Sequence, residues 1–136
     1  SDLAYAAHAT SAVATAYTSD ALRVWRRPDL SRDEGARCAA ELAGHMRRLA
    51  QSARGCLFDL IEATTTWGPT THAAISEMLG AWELAQRPIV VVPATEAIQR
   101  LSLRELLRSA APRQGRLVQE RAAALSLLRR LAAKSA

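Results

Sequence analysis

Aromatic residues are scarce in this chain: one Phe, two Tyr and three Trp make up 4% of its 136 residues. A core must therefore come mainly from Leu, Val, Ile and Ala. Cysteine is scarcer still. Cys38 and Cys56 are the only two, they fall on different expected elements, and they match no metal-binding or redox spacing. They read as reduced, partly buried thiols, and with them comes an expected cytoplasmic location. Long apolar runs are missing as well. The strongest, Ile89 to Val92, falls far short of the roughly 20 residues that cross a bilayer, so no transmembrane segment is expected. The opening residues lack the basic-then-apolar pattern of a secretion signal.

The spacings that chemistry needs are missing too. His8, His45 and His72 lie on three separate expected elements, with no i, i+4 pair, so no metal is expected. No serine stands in a nucleophile-elbow pattern. The six glycines are scattered, which leaves no phosphate-cradling loop and no cofactor expectation. Asp59 and Glu62 are three apart along an expected strand end and would point to opposite faces, a poor pair for acid–base work. On these grounds the chain reads as a non-enzyme.

What is present is fold-forming. Hydrophobic residues make up 49% and charged residues 23%, ordinary values for a globular protein, and the length suits one domain spanning 1–136. The net charge of +5 is unevenly placed. Residues 1–100 hold ten Arg against eleven acids, whereas residues 101–136 hold seven Arg and Lys134 against Glu105 and Glu120. Lys134 is the only lysine, and an arginine- and alanine-rich composition is what a GC-rich genome produces without a polyanionic partner. No aromatic follows Trp82, which argues against single-strand stacking, so no nucleic acid is expected.

Along the chain, Tyr5 to Tyr17 alternates small and larger residues as a strand would, although its alanines also suit a helix. Ala21 to Arg27 alternates as a strand that ends at Pro28 and would pair with the first as an antiparallel hairpin. Ser31 to Glu34 fits a capping box opening a helix through Leu42, Met46 and Leu49. Cys56 to Ile61 reads as a buried strand. Gly68-Pro69 prepares a helix carrying Ala74, Ile75, Met78, Leu79 and Trp82 inward, which ends at Gln86 to Pro88. Ile89 to Val92 is a strand buried on both faces. A helix with Ile98, Leu101, Leu106 and Leu107 follows, and a second capping box from Ser102 to Glu105 would break it in two. Leu117-Val118 is a short last strand. Ala122 to Lys134 is an amphipathic helix with Leu125, Leu128 and Leu131 or Leu127 inward. The expected fold is α/β, a mixed sheet of four to five strands with crossover helices and an N-terminal antiparallel hairpin.

The strand Leu57-Phe58-Asp59-Leu60, the helix around Met78-Leu79, the strand from Pro88 to Val92 and the closing strand and helix from Leu117 to Leu128 together resemble the STAS and SpoIIAA-like group, the anti-sigma-factor-antagonist fold. The likeness covers the chain from about Leu22 onward and lies in element order. It implies a protein-interaction or regulatory module, switched in its better-known members by phosphorylation at a helix start after the central strand. Here Trp67-Gly68 stands where that family carries an Asp-Ser pair, and Thr70 and Thr71 are the nearest hydroxyls. Distant relatives have been compared with lipid-binding folds, so a small-molecule or lipid-binding carrier is the second reading.

The first candidate surface is the loop from Ala63 to Thr71, at the carboxyl end of an inner strand and before a helix N-terminus. Thr70 or Thr71 would serve there as a phosphoacceptor or simply as an N-cap. Trp67 would anchor an interface or fold back into the core. Arg104, Arg108, Arg113, Arg116 and Arg121 form a basic candidate surface for an acidic partner or anionic lipid, against the plainer reading of solvated helix arginines. The expected partner is a protein, and a second copy of the chain remains open.

Overall fold

The computed structural model describes residues 3–10, 13–19, 21–63 and 67–134. Ten elements follow one another: β1 Leu3–Thr10, β2 Val13–Tyr17, β3 Leu22–Arg26, α1 Arg32–Leu49, β4 Gly55–Asp59, α2 Pro69–Leu84, β5 Ile89–Val92, α3 Ala97–Ala110, β6 Gly115–Leu117 and α4 Arg121–Lys134. The strands form one mixed sheet in the order β3-β2-β1-β4-β5-β6. β1, β2 and β3 pair antiparallel, whereas β1, β4, β5 and β6 run parallel.

The architecture is α/β, with six strands where four to five were expected. The difference lies at the start. The Tyr5 to Tyr17 segment is two strands, and β1 does not stay at an edge: it enters the middle of the sheet beside β4, leaving β2 and β3 as the outer antiparallel pair. A strand of thirteen residues would be long for a globular sheet, which favours the split. The composition hides it, because Ala4, Ala6, Ala14 and Ala16 continue the same small-residue alternation through both strands, all buried under α1.

Helices α1, α2 and α3 lie on one face of the sheet and α4 on the other. The larger core packs Phe58, Leu42, Met46, Ile75, Met78, Leu79, Trp82 and Leu103, each nearly free of solvent contact. The indole N–H of Trp82 has no acceptor among the described residues, a burial that costs about 1–3 kcal/mol. On the other face α4 lays Ala124, Leu128 and Ala132 over Leu57, Val90 and Val92, with Leu125, Leu127 and Leu131 half-buried at the margin. This two-sided cover explains why every residue of β4 and β5 is buried and why IVVV needs no polar alternation.

The helix starts show which local signals were used. Ser31 is the N-cap of α1 and accepts from the Glu34 N–H at 3.3 Å. The reciprocal half of the capping box is absent: Asp29 accepts the Ser31 N–H at 2.8 Å, and Glu34 pairs with Arg37. α2 stops at Gln86, whose φ of 56° is left-handed, and the Arg87 N–H donates back to the Trp82 carbonyl. The second capping box is unused. α3 runs unbroken from Ala97 to Ala110, and Glu105 pairs with Arg108 at 2.9 Å instead of capping. No described helix is long and apolar enough to cross a membrane.

Close packing at β6 generates a stability test. A Cβ on Gly115 would sit 2.7 Å from the Ala111 carbonyl oxygen and 2.7 Å from Leu107 Cδ2. Backbone cannot move aside as a flexible side chain can. Gly115→Ala should destabilise the protein by about 1–3 kcal/mol, read as a lower urea midpoint, while Gly68→Ala, with open space at its Cβ, should cost much less.

Candidate functional site

The loops that leave β4 and β5 meet at the carboxyl edge of the sheet. Gln99, on the first turn of α3, is buried and joins them. Its Nε2 donates to the Ala63 carbonyl at 2.5 Å, and its Oε1 accepts from the Ala94 N–H at 2.8 Å. A buried amide that satisfies two backbone groups is worth more than its polarity suggests, because each group would otherwise be stranded. Ile98 and Leu101, two of the apolar residues that mark this helix in the sequence, are 72% and 60% exposed, while Gln99, Leu103, Leu106 and Leu107 face inward. The inward residues keep helical spacing; the polar Gln99 disguises the first of them.

The expected candidate loop lies at this edge. Its threonines 64–66 are outside the described residues. Trp67 is half-buried and packs against the larger core, so it is neither a free surface anchor nor a sealed core plug. Gly68 is the N-cap of α2, Pro69 takes the first helical position, and no side chain caps this end. Thr70 and Thr71 therefore lie inside the first turn, Thr70 exposed and Thr71 half-buried, and neither is the N-cap. No acidic residue stands in that turn, so the positive end of the helix has no local carboxylate beside it.

From the α2 N-terminus an open groove of about 610 Å³ runs between α2 and α3. His72 and Ser76 line it from α2, Ser102 and Glu105 from α3, and Leu101 and Leu106 supply apolar surface. Ile98 lies three residues before Leu101 on the same exposed helix stripe. His72, in the opening turns of α2, links the start of that helix to the groove.

The five arginines of the basic candidate are spread over the molecule. Arg104 and Arg108 lie on α3, and Arg108 is taken up by Glu105. Arg113 and Arg116 lie at the turn into β6, at the amino edge of the parallel strands, where Arg116 Nη1 donates to the Arg113 and Gly115 carbonyls at 2.7 and 2.9 Å. Arg121 sits at the opposite, carboxyl edge and meets Asp59. Its Nε lies 2.5 Å from Asp59 Oδ2, while Asp59 Oδ1 accepts the Ile61 N–H at 3.0 Å. The carboxylate raises the Arg121 pKa, first through that hydrogen bond and then through its charge, with a smaller contribution from Glu62. Asp59 caps its own loop and is also paired across 62 residues of chain. Only the crossover topology could bring Arg121 to it.

His72 is exposed beside the groove, and the His8 side chain is outside the described residues. His45, on α1, packs under Trp25 with ring centroids 5.6 Å apart and lies 3.5 Å from Arg23 Nη1. Among the described residues no group of three His, Cys, Asp or Glu could hold a metal ion. Cys38 and Cys56 are buried free thiols, and burial pushes the pKa of both up. Comparison with protein-family models, with curated proteins and with solved structures gives no match.

Two tests follow from these contacts. Asp59 is nearly buried and Arg121 is largely exposed. Asp59→Ala strands the Ile61 N–H and should cost about 1–3 kcal/mol, whereas Arg121→Ala, losing a solvent-screened pair, should cost under about 1 kcal/mol; urea titration of both variants measures the order. For His45, burial first and the charges of Arg23 and Arg48 second hold the pKa below its ordinary 6.5. A depressed histidine favours the neutral form in the folded state. Its contribution is complete above 6.5 and is lost as the pH falls through that value toward the folded pKa. An NMR titration should place the His45 midpoint below 6.5, and Arg23→Ala should raise it part of the way back.

Proposed function

We propose that this chain is a non-enzymatic protein-interaction or regulatory module of the STAS and SpoIIAA-like kind, acting in the cytoplasm. Its partner docks on the surface made by the β4–α2 loop, the start of α2 and the α2–α3 groove. The observation that carries this reading is the groove itself: about 610 Å³ of open, part-apolar surface, beside two large aliphatic side chains, Ile98 and Leu101, that are turned out to solvent. Apolar side chains exposed together at the rim of a concave surface mark a site for another chain.

Three further features support it. Trp67 precedes the α2 N-cap and is half-buried against the larger core, which leaves part of it exposed. Thr70 is exposed in a helix turn without acids, where a phosphate would be favoured by the helix dipole and by N–H groups. The space between the helices and the sheet is filled by Trp82, Phe58, Leu42 and Met46, which favours docking on the outside over a carrier's internal cavity. The resemblance to the STAS group contributes element order and the placing of the switch at this helix start.

The test uses immobilised full-length protein and a lysate of its own source, read by quantitative mass spectrometry with each captured protein then purified and titrated. One protein should bind stoichiometrically. Leu101→Glu, a surface change that leaves the core intact, should weaken it by tenfold or more, on the order of 1.4 kcal/mol. Thr70→Asp should shift the same affinity while leaving the thermal midpoint near that of the parent. A partner whose affinity is unmoved by Leu101→Glu and by Trp67→Ala docks elsewhere and removes this surface from consideration.

A further inference from the structure

We propose that two copies of this chain pair through the outer edge of β3, antiparallel, in the register centred on Val24. Among the described residues β3 is the last strand of the sheet on its side and is bonded only to β2. The hairpin bond from the Thr18 N–H to the Ala21 carbonyl, 2.9 Å, settles which residues face outward. Bonded and non-bonded pairs alternate along antiparallel strands. The bonded set is therefore Ala16 with Arg23 and Ala14 with Trp25, and the N–H and C=O groups of Leu22, Val24 and Arg26 point away from the sheet. Such a row is a template for one more strand.

The side chains along this edge select a second copy and a single register. In a two-fold antiparallel pair, residues equally far on either side of the centre lie opposite each other. A centre at Arg23 sets Arg23 against itself, a centre at Trp25 sets Arg23 against Arg27, and a centre at Arg26 sets Arg26 against itself. Like charges directly opposite are destabilising. The centre at Val24 avoids all of these while using the whole strand. Val24 faces Val24, Leu22 faces the second copy's Arg26, and Arg23 faces the second copy's Trp25, twice over by symmetry. All three outward residues then exchange backbone bonds at once, about six in total.

The pairs are chemically matched as well as free of conflict. An arginine beside a tryptophan gains a cation–π contact, and the aliphatic stem of Arg26 covers Leu22. Leu22 is 67% exposed and Val24 43% exposed. Both lie on the sheet face that α4 leaves open, next to Tyr17, which is stacked on Tyr5 at 4.9 Å. Five residues of edge make a small contact, so the dimer is concentration-dependent. β3 lies at the far side of the sheet from β5 and β6, so pairing there leaves the α2–α3 groove free, and the dimer stands or falls separately from the docking surface proposed above.

Sedimentation equilibrium of the whole chain over a concentration series should show the mass rise from 14.7 kDa toward twice that value. Val24→Pro removes the central outward N–H without touching a bond to β2, a place where edge strands accept proline, and should hold the mass at 14.7 kDa with an unchanged far-ultraviolet spectrum. Val24→Cys should give a disulfide-linked dimer on mild oxidation, since a bonded pair sets the Cα atoms about 5.5 Å apart. Cys38 and Cys56 are buried and do not compete. Leu22→Cys should not cross-link to itself. A parent chain that remains at 14.7 kDa throughout, or Leu22→Cys that links as readily as Val24→Cys, overturns the proposal.

Discussion

Among the described residues the sheet has six strands, and only one helix lies on its second face. That inequality governs most of the molecule. Where α4 covers β4 and β5, both faces are dry, and the strands are apolar without alternation. Beyond its reach, β2 and β3 keep one face for α1 and give the other to solvent, so Ala14 and Ala16 point in while Tyr17, Leu22 and Val24 point out. Asp59 stands where the two regimes meet. It is the last residue of a fully buried strand, on the face toward α4, and the N-terminal arginine of that helix neutralises it. One oxygen of the carboxylate accepts the Ile61 N–H and the other meets Arg121 at the solvent-exposed margin.

The ends of the sheet are closed by polar side chains that serve backbone groups. At the carboxyl edge Gln99 holds Ala63 and Ala94, and Asp59 holds Ile61. At the amino edge Glu83 accepts the N–H groups of Arg113 and Gln114 through one oxygen, and Arg87 donates to the Ala53 carbonyl. The Gln99–Ala63, Glu83 and Arg87 bonds tie loops to elements distant in sequence, whereas the Asp59–Ile61 and Gln99–Ala94 bonds are local. By contrast, the ion pairs of Arg37, Arg47 and Arg108 lie on exposed helix surfaces and contribute little each. The architecture relies on side-chain hydrogen bonds to loop backbone, from charged groups as well as from Gln99, more than on exposed ion pairs. Arg104, Arg108, Arg113, Arg116 and Arg121 of the last quarter are divided among α3, the β6 region and the start of α4.

The legible parts were those where local spacing and burial agree. The apolar run of β5, the stripe of Ile75, Met78, Leu79 and Trp82 on α2, and the serine that caps α1 all stand in the structure as their spacing implies. Misreadings arose where two causes give one pattern. Alanine alternation could not reveal a chain reversal between β1 and β2. Ile98 and Leu101 are apolar yet exposed, while the buried position goes to an amide with two backbone partners. At the candidate site, Trp67 and the threonines were found by their place after an inner strand. The groove beside them was not legible, since its walls come from two helices whose facing depends on Gln99.

Residue order alone determined the element types from Ala21 onward, the buried inner strands and the helix start at Pro69, because capping, turn chemistry and hydrophobic period act over a few neighbouring residues. Tertiary structure decided that β1 lies at the centre of the sheet, that Arg121 reaches Asp59, and that α3 turns Gln99 inward and Ile98 outward. These depend on which segments share a layer and on which backbone groups lack partners after packing. Both are properties of contacts between residues far apart along the chain.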